Sequence, residues 1–102
     1  KEKSTSTDAL FYSVNGFKVE VRNQVQATLS DGAFSFFELR NTSISTDSIV
    51  LGSFTGNTAG AITGSIITAA TIALYTASIQ IHNESGEAVA DDTPYTASFI
   101  VL

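Results

Sequence analysis

Any proton-shuttling chemistry in this chain would have to turn on His82, its single histidine, since imidazole is the side chain that titrates near neutrality unaided. A serine–histidine–aspartate arrangement also needs a nucleophile presented on a G-x-S-x-G turn or an equivalent, and no such stretch occurs. His82 lies near the end of an alternating run, where a surface or hydrogen-bonding role is the commoner one. With one histidine and no cysteine, a zinc site would have to be built from carboxylates, and no histidine-rich spacing exists. The sequence therefore assigns no catalytic, cofactor-binding or metal residue, and the expectation is a protein that is not an enzyme.

Carboxylates gather once. Glu84, Glu87, Asp91 and Asp92 lie within nine residues, and hard oxygens are what calcium takes. Their spacing does not follow D-x-[DN]-x-[DN]-G, so the reading is a solvated acidic loop, with calcium as the alternative. Glycoside hydrolysis would need two carboxylates held on opposite sides of a cleft, which one loop does not provide. Asn41-Thr42-Ser43 and Asn83-Glu84-Ser85 match the N-glycosylation pattern, one that arises readily by chance in a Ser/Thr-rich chain. Sugar recognition needs exposed aromatics, for which Phe11, Tyr12, Tyr75 and Tyr95 are candidates, although core packing is the commoner fate of such residues.

The elements that must position these groups read as strands. The chain has 102 residues, one domain's worth, and is 43% hydrophobic but only 15% charged. Serine, threonine, asparagine and glycine take the place of charges, which suits turn-rich β structure. The absence of cysteine excludes disulfides and thiolate chemistry. Lys1 in place of methionine suggests a processed or trimmed start, and the opening KEKSTSTD has no secretory pattern. All five cations fall in residues 1–40; residues 41–102 hold only acids, so the clustered positive face that nucleic acid requires is not expected. Residues 48–83 carry no charge, yet Thr, Ser and Gly interrupt the apolar run 61–75, which falls short of the ~20 residues of a spanning helix. Membrane insertion is not expected.

Residues 1–8 read as a flexible polar arm or linker, and 9–102 as one domain. Leu10–Val14, Asn15-Gly16 and Phe17–Arg22 predict a hairpin, with Phe17, Val19 and Val21 on one face and Lys18, Glu20 and Arg22 on the other. Val25, Ala27 and Leu29 suggest a further strand before a turn at Ser30-Asp31-Gly32. In residues 33–41, Phe34 and Phe36 share one face while Phe37 and Leu39 share the other. Either a bulge near Phe36 restores the phase, or the strand is apolar on both sides and a neighbouring subunit covers one. Strands follow at 48–54, 62–68, 76–83 and 95–102, with a glycine-rich loop at 56–60, a break around 69–72, and a last strand apolar on both faces. No internal repeat stands out. About seven or eight short strands joined by polar turns predict an all-β domain, an antiparallel β-sandwich or jelly roll.

From about residue 34 a pattern of motifs emerges: Asn41-Thr42-Ser43-Ile44-Ser45-Thr46-Asp47-Ser48-Ile49-Val50-Leu51, then Gly56-Asn57-Thr58-Ala59-Gly60, then Ile79-Gln80-Ile81-His82-Asn83, and finally Ala97-Ser98-Phe99-Ile100-Val101-Leu102. It resembles a group of short β-rich virion proteins of marine tailed bacteriophages, cyanophages included. There a strand leads into N-S-L-V-T-A-N-S-V-V-L or similar, a glycine-rich loop, a strand pair ending V-x-N, and a last strand ending S-F-V-V. Residues 1–33, with their Asn-Gly pair, depart from that pattern. The resemblance implies a virion-surface structural protein: a capsid decoration or cement, a knob or a tail-fibre head. It further implies a homo-oligomer, a trimer being favoured, that contacts other virion proteins such as the major capsid protein. The family has no catalytic residues to carry over. The alternative is a carbohydrate-binding or adhesin module for host attachment through a surface glycan.

Overall fold

The computed structural model describes residues 2–5, 11–13, 16–25, 27–55 and 60–102, with side chains described over 16–25, 27–55 and 62–102. The fold is all-β. Its strands are β1 (Glu2–Thr5), β2 (Phe11–Ser13), β3 (Lys18–Gln24), β4 (Phe34–Arg40), β5 (Val50–Thr55), β6 (Ser65–Ala73), β7 (Thr76–Asn83) and β8 (Pro94–Val101), with a 3-10 turn at Gly60–Gly64 before β6. They form two sheets, ordered β1-β3-β8-β5 and β2-β4-β7-β6. Three strands of each sheet run antiparallel, while β1 and β2 add in parallel beside β3 and β4. Glu2–Thr5, which read as part of a polar arm, thus lie along β3.

Alternation decides which side chains enter the core. Val19 and Val21 of β3, Phe37 and Leu39 of β4, Ala77, Ile79 and Ile81 of β7, and Tyr95, Ala97, Phe99 and Val101 of β8 are all buried in one cluster between the sheets. The rings of Phe37 and Phe99 meet edge-on across it, centroids 6.2 Å apart, an arrangement favoured by the aromatic quadrupoles. Gly52 of β5 sits opposite Phe99.

Three expectations are corrected and one open choice is decided. The strands on either side of the Asn-Gly pair do not form a hairpin: β2 pairs with β4 and β3 with β8, in different sheets, while Asn15 itself lies outside the described residues. Gly16 is held by Asn41, whose Nδ2 donates to the Gly16 carbonyl (2.7 Å) and whose Oδ1 accepts from its amide (3.3 Å). Among the described residues of 25–29 there is no strand, although Leu29 forms an isolated bridge with Val89. The break expected around 69–72 is a bulge between Ala69 and Thr71 within a continuous β6, and the turn falls at Leu74-Tyr75. Of the two readings of β4, the strand apolar on both sides holds and the bulge does not: its register against β7 is regular, so Phe34 and Phe36 point outward and Phe37 and Leu39 inward. The glycine-rich loop at 56–59 lies outside the described residues.

A repeat does exist, with an offset of 60 residues. Val19, Val21 and Asn23 of β3 correspond to Ile79, Ile81 and Asn83 of β7; Phe37 and Leu39 of β4 correspond to Ala97 and Phe99 of β8; all ten are buried. The intervening turns correspond as well: Ala33 N donates to Ser30 O and Thr93 N to Ala90 O, with positive φ at Gly32 (81°) and Asp92 (63°). That is the φ pattern of a type II turn. Leu29 and Val89 occupy equivalent positions and bond to each other reciprocally, both N···O distances being 2.8 Å. The pair joins the two repeated segments, which place β3 and β8 in one sheet and β4 and β7 in the other. Few residues are identical between the halves, because burial and turn geometry repeat rather than side-chain type.

Candidate interaction surfaces

Two clusters of apolar side chains stand on the outer faces, one on each sheet. On the β2-β4-β7-β6 sheet, Phe34 of β4 and Ile66 of β6 flank His82 of β7 in register, and Phe36 lies two residues along β4. Phe34 and Phe36 are 51% and 52% exposed. The His82 ring stacks on Phe34 at 4.2 Å between centroids and 13° between planes, and Phe34 and Phe36 lie 6.4 Å apart at 23°. His82 Nδ1 is 3.2 Å from Glu84 Oε1. The histidine thus joins an aromatic surface and carries a carboxylate at its rim.

On the opposite sheet, Leu51 of β5 faces Ile100 of β8, and Ile49 faces Leu102 through reciprocal backbone bonds of 3.1 and 2.8 Å. These four side chains are 45–67% exposed. Period-two alternation puts Ile100 with Leu102, and Leu51 with Ile49, on one face, so they form an aliphatic block. Lys18 of β3 lies beside it, opposite Ile100. An apolar hollow of about 190 Å³ is lined by Lys18, by Leu51, Gly52 and Ser53 of β5, and by Ser98, Phe99 and Ile100 of β8. Lys18 meets no carboxylate among the described residues, whereas Arg22 lies 3.5 Å from Glu20 and Arg40 3.3 Å from Glu38.

The two clusters lie at opposite ends of the strands. The aliphatic block sits where β3 and β5 begin and β8 ends; the aromatic cluster sits where β4 and β6 begin and β7 ends, beside the acidic loop. In that loop Glu84, Glu87, Asp91 and Asp92 do not converge. Among the described residues no group of three His, Asp or Glu side chains is placed to hold a metal ion.

Both asparagines of the glycosylation patterns are buried, Asn41 at 1% and Asn83 at 0% exposure. Asn83 Nδ2 donates to Leu29 O (3.0 Å) and Glu87 O (2.7 Å), and its Oδ1 accepts from the amide and hydroxyl of Ser85 (3.0 and 2.7 Å). Asn41 Oδ1 also accepts from Ser43 N at 2.8 Å. Their amides substitute for backbone partners where strands end. Of the aromatic residues picked out for sugar binding, Tyr95 is buried with its hydroxyl accepting from Asn23 Nδ2 at 2.9 Å, and Tyr75 is exposed at the β6–β7 turn. The side chains of Phe11 and Tyr12 lie outside the described residues. The exposed aromatic surface is made instead by Phe34, Phe36 and His82, whose signal in the sequence was the phase conflict in β4.

Comparison with protein-family models, with curated proteins and with solved structures finds no match. Among the described residues no helix is long and apolar enough to cross a membrane, which leaves β-barrels unaddressed.

Proposed function

We propose that this chain is a non-enzymatic structural protein of a bacteriophage virion surface, decorating or cementing the capsid or forming a knob or tail-fibre head. The observation that carries this reading is the pair of exposed apolar clusters on the outer faces of the two sheets. Surface apolar residues are ordinary when scattered, but contiguous groups mark contact sites. A homo-oligomer, with a trimer favoured, and other virion proteins such as the major capsid protein are the partners this reading takes.

The finer architecture belongs to the same proposal. The segment β3–turn–β4 pairs with β7–turn–β8 as one long folded ribbon, β3 against β8 and β4 against β7. We read this as a jelly roll, an architecture used by viral capsid and lectin domains alike; the analogy supports the function only at fold level.

Light scattering on the purified chain tests the assembly reading. A trimer, three times 10.7 kDa or about 32 kDa, supports it, and a stable monomer counts against it. Antibody against the domain, imaged on intact phage particles, tests the location, and particles left unlabelled would sink the virion assignment.

A second reading has its own support. The exposed Phe34–His82–Phe36 surface offers stacked rings of the kind on which sugar faces pack, which favours a host-glycan-binding module. Binding on a glycan array that disappears in Phe34→Ala would favour this reading over the first.

A further inference from the structure

Each chain carries two unlike apolar clusters on opposite faces: the aliphatic block Ile49, Leu51, Ile100 and Leu102 on one sheet, and Phe34, Phe36 and Ile66 on the other. The charge beside each differs in sign. Lys18 borders the aliphatic block and meets no carboxylate among the described residues, while Glu84 borders the aromatic cluster through His82. We propose that the occupant of each cluster is the other cluster on a second copy of this chain, with Lys18 of one copy set against Glu84 of the next.

Like-with-like pairing serves this surface poorly. A two-fold contact through one cluster leaves the other in water, and it gathers charges of one sign, two Lys18 or two Glu84, into a single interface. A chain whose net charge is −5 also gains by meeting its copy where the cation Lys18 lies. The head-to-tail contact covers both clusters and pairs both charges. It is directional: because the clusters face away from each other, two copies cannot satisfy both at once, and assembly continues past the dimer. It closes where the rotation per contact completes a turn, and extends as a stack where it does not. The inference names the contacting surfaces within the assembly reading above.

Two double variants test it. Leu51→Thr with Ile100→Thr disables the aliphatic block, and Phe34→Thr with Phe36→Thr disables the aromatic cluster; all four positions are exposed, and threonine suits a strand. Circular dichroism confirms that each variant folds. The expected result is a wild type heavier than a dimer, each variant a 10.7 kDa monomer, and their equimolar mixture a one-to-one dimer of twice that mass, since each supplies the cluster the other lacks. Variants that dimerise on their own, or a mixture that stays monomeric while the wild type assembles, would overturn the head-to-tail contact. A wild-type oligomer that survives in both variants overturns the contact and leaves the assembly reading standing; a monomeric wild type overturns both. Lys18→Glu and Glu84→Lys should each weaken wild-type association at least tenfold, and the two combined in one chain should restore it. Failure of that restoration overturns the proposed charge pairing.

Discussion

Gly52 of β5 lies against the ring of Phe99 so closely that a Cβ there would stand 2.5 Å from Phe99 Cε1 and 2.7 Å from Cδ1. The ring cannot retreat, since it is buried and meets Phe37 edge-on. Gly52→Ala should therefore destabilise the domain by about 1–3 kcal/mol, the usual range for overpacking a core. Urea denaturation of the two proteins measures this, and an unchanged midpoint would mean that the ring has room to move.

Adjacent phenylalanines of β4 should behave in opposite ways. Phe37→Ala empties a core position and is expected to cost about 3–5 kcal/mol, whereas Phe36→Ala removes an outward ring and should cost under about 1 kcal/mol. Measured on the dissociated chain, equal losses at the two positions would contradict the register of β4 against β7.

Phe99→Asp places a carboxylate in the centre of the core with no cation beside it. Burying an unpaired charge costs several kcal/mol, so this variant should fail to fold or to assemble. Wild-type melting behaviour in Phe99→Asp would refute the core assignment.

The two equivalent turns separate backbone strain from packing. Gly32 has φ near 81° and nothing within 4 Å of its imagined Cβ, so any loss in Gly32→Ala, expected at about 1 kcal/mol, is conformational. Asp92 holds the matching place at φ 63° with a side chain. Asp92→Gly relieves that strain and should leave stability unchanged or up to about 1 kcal/mol higher. Opposite signs from the two variants are the expected thermal-melt result.

Asn83→Ala removes one of two donors from each of Leu29 O and Glu87 O, which keep Val89 N and Ser85 Oγ, and takes the acceptor from the Ser85 amide. One group left without a partner, with two carbonyls each losing a bond, makes a loss of about 1–3 kcal/mol the expected result by chemical denaturation. Asn83→Asp keeps the acceptor but cannot donate when ionised, so it should rescue little at neutral pH.

Much of the strand pattern could be read directly from residue types. The alternation in β3, β7 and β8 follows from side chains that point to opposite faces in turn, and the double-sided character of β4 was visible as a conflict of phase. Pairing was not legible. Asn15-Gly16 signals a change of direction locally, but whether the next strand returns to its predecessor or crosses to another sheet depends on Phe99 and its neighbours far downstream. The halves hid their relationship because Phe37 answers to Ala97 and Leu39 to Phe99, keeping burial while changing size. Phe34 and Phe36 stood out as misplaced apolar residues, but only cross-strand register brings His82 and Ile66 beside Phe34.

The exchange of strands between the halves bears on how the protein is made. Val19 finds its partner at Phe99, and β4 finds its partner in β7; β3 does not pair with β4, nor β7 with β8. While the ribosome is still extending the chain, β3 and β4 have no antiparallel ladder to join, and only the β6–β7 hairpin can close early. Folding must then wait until synthesis of the last strand is almost finished, as contacts distant in sequence require, and a translation product missing β8 would leave both β3 and β5 with open edges.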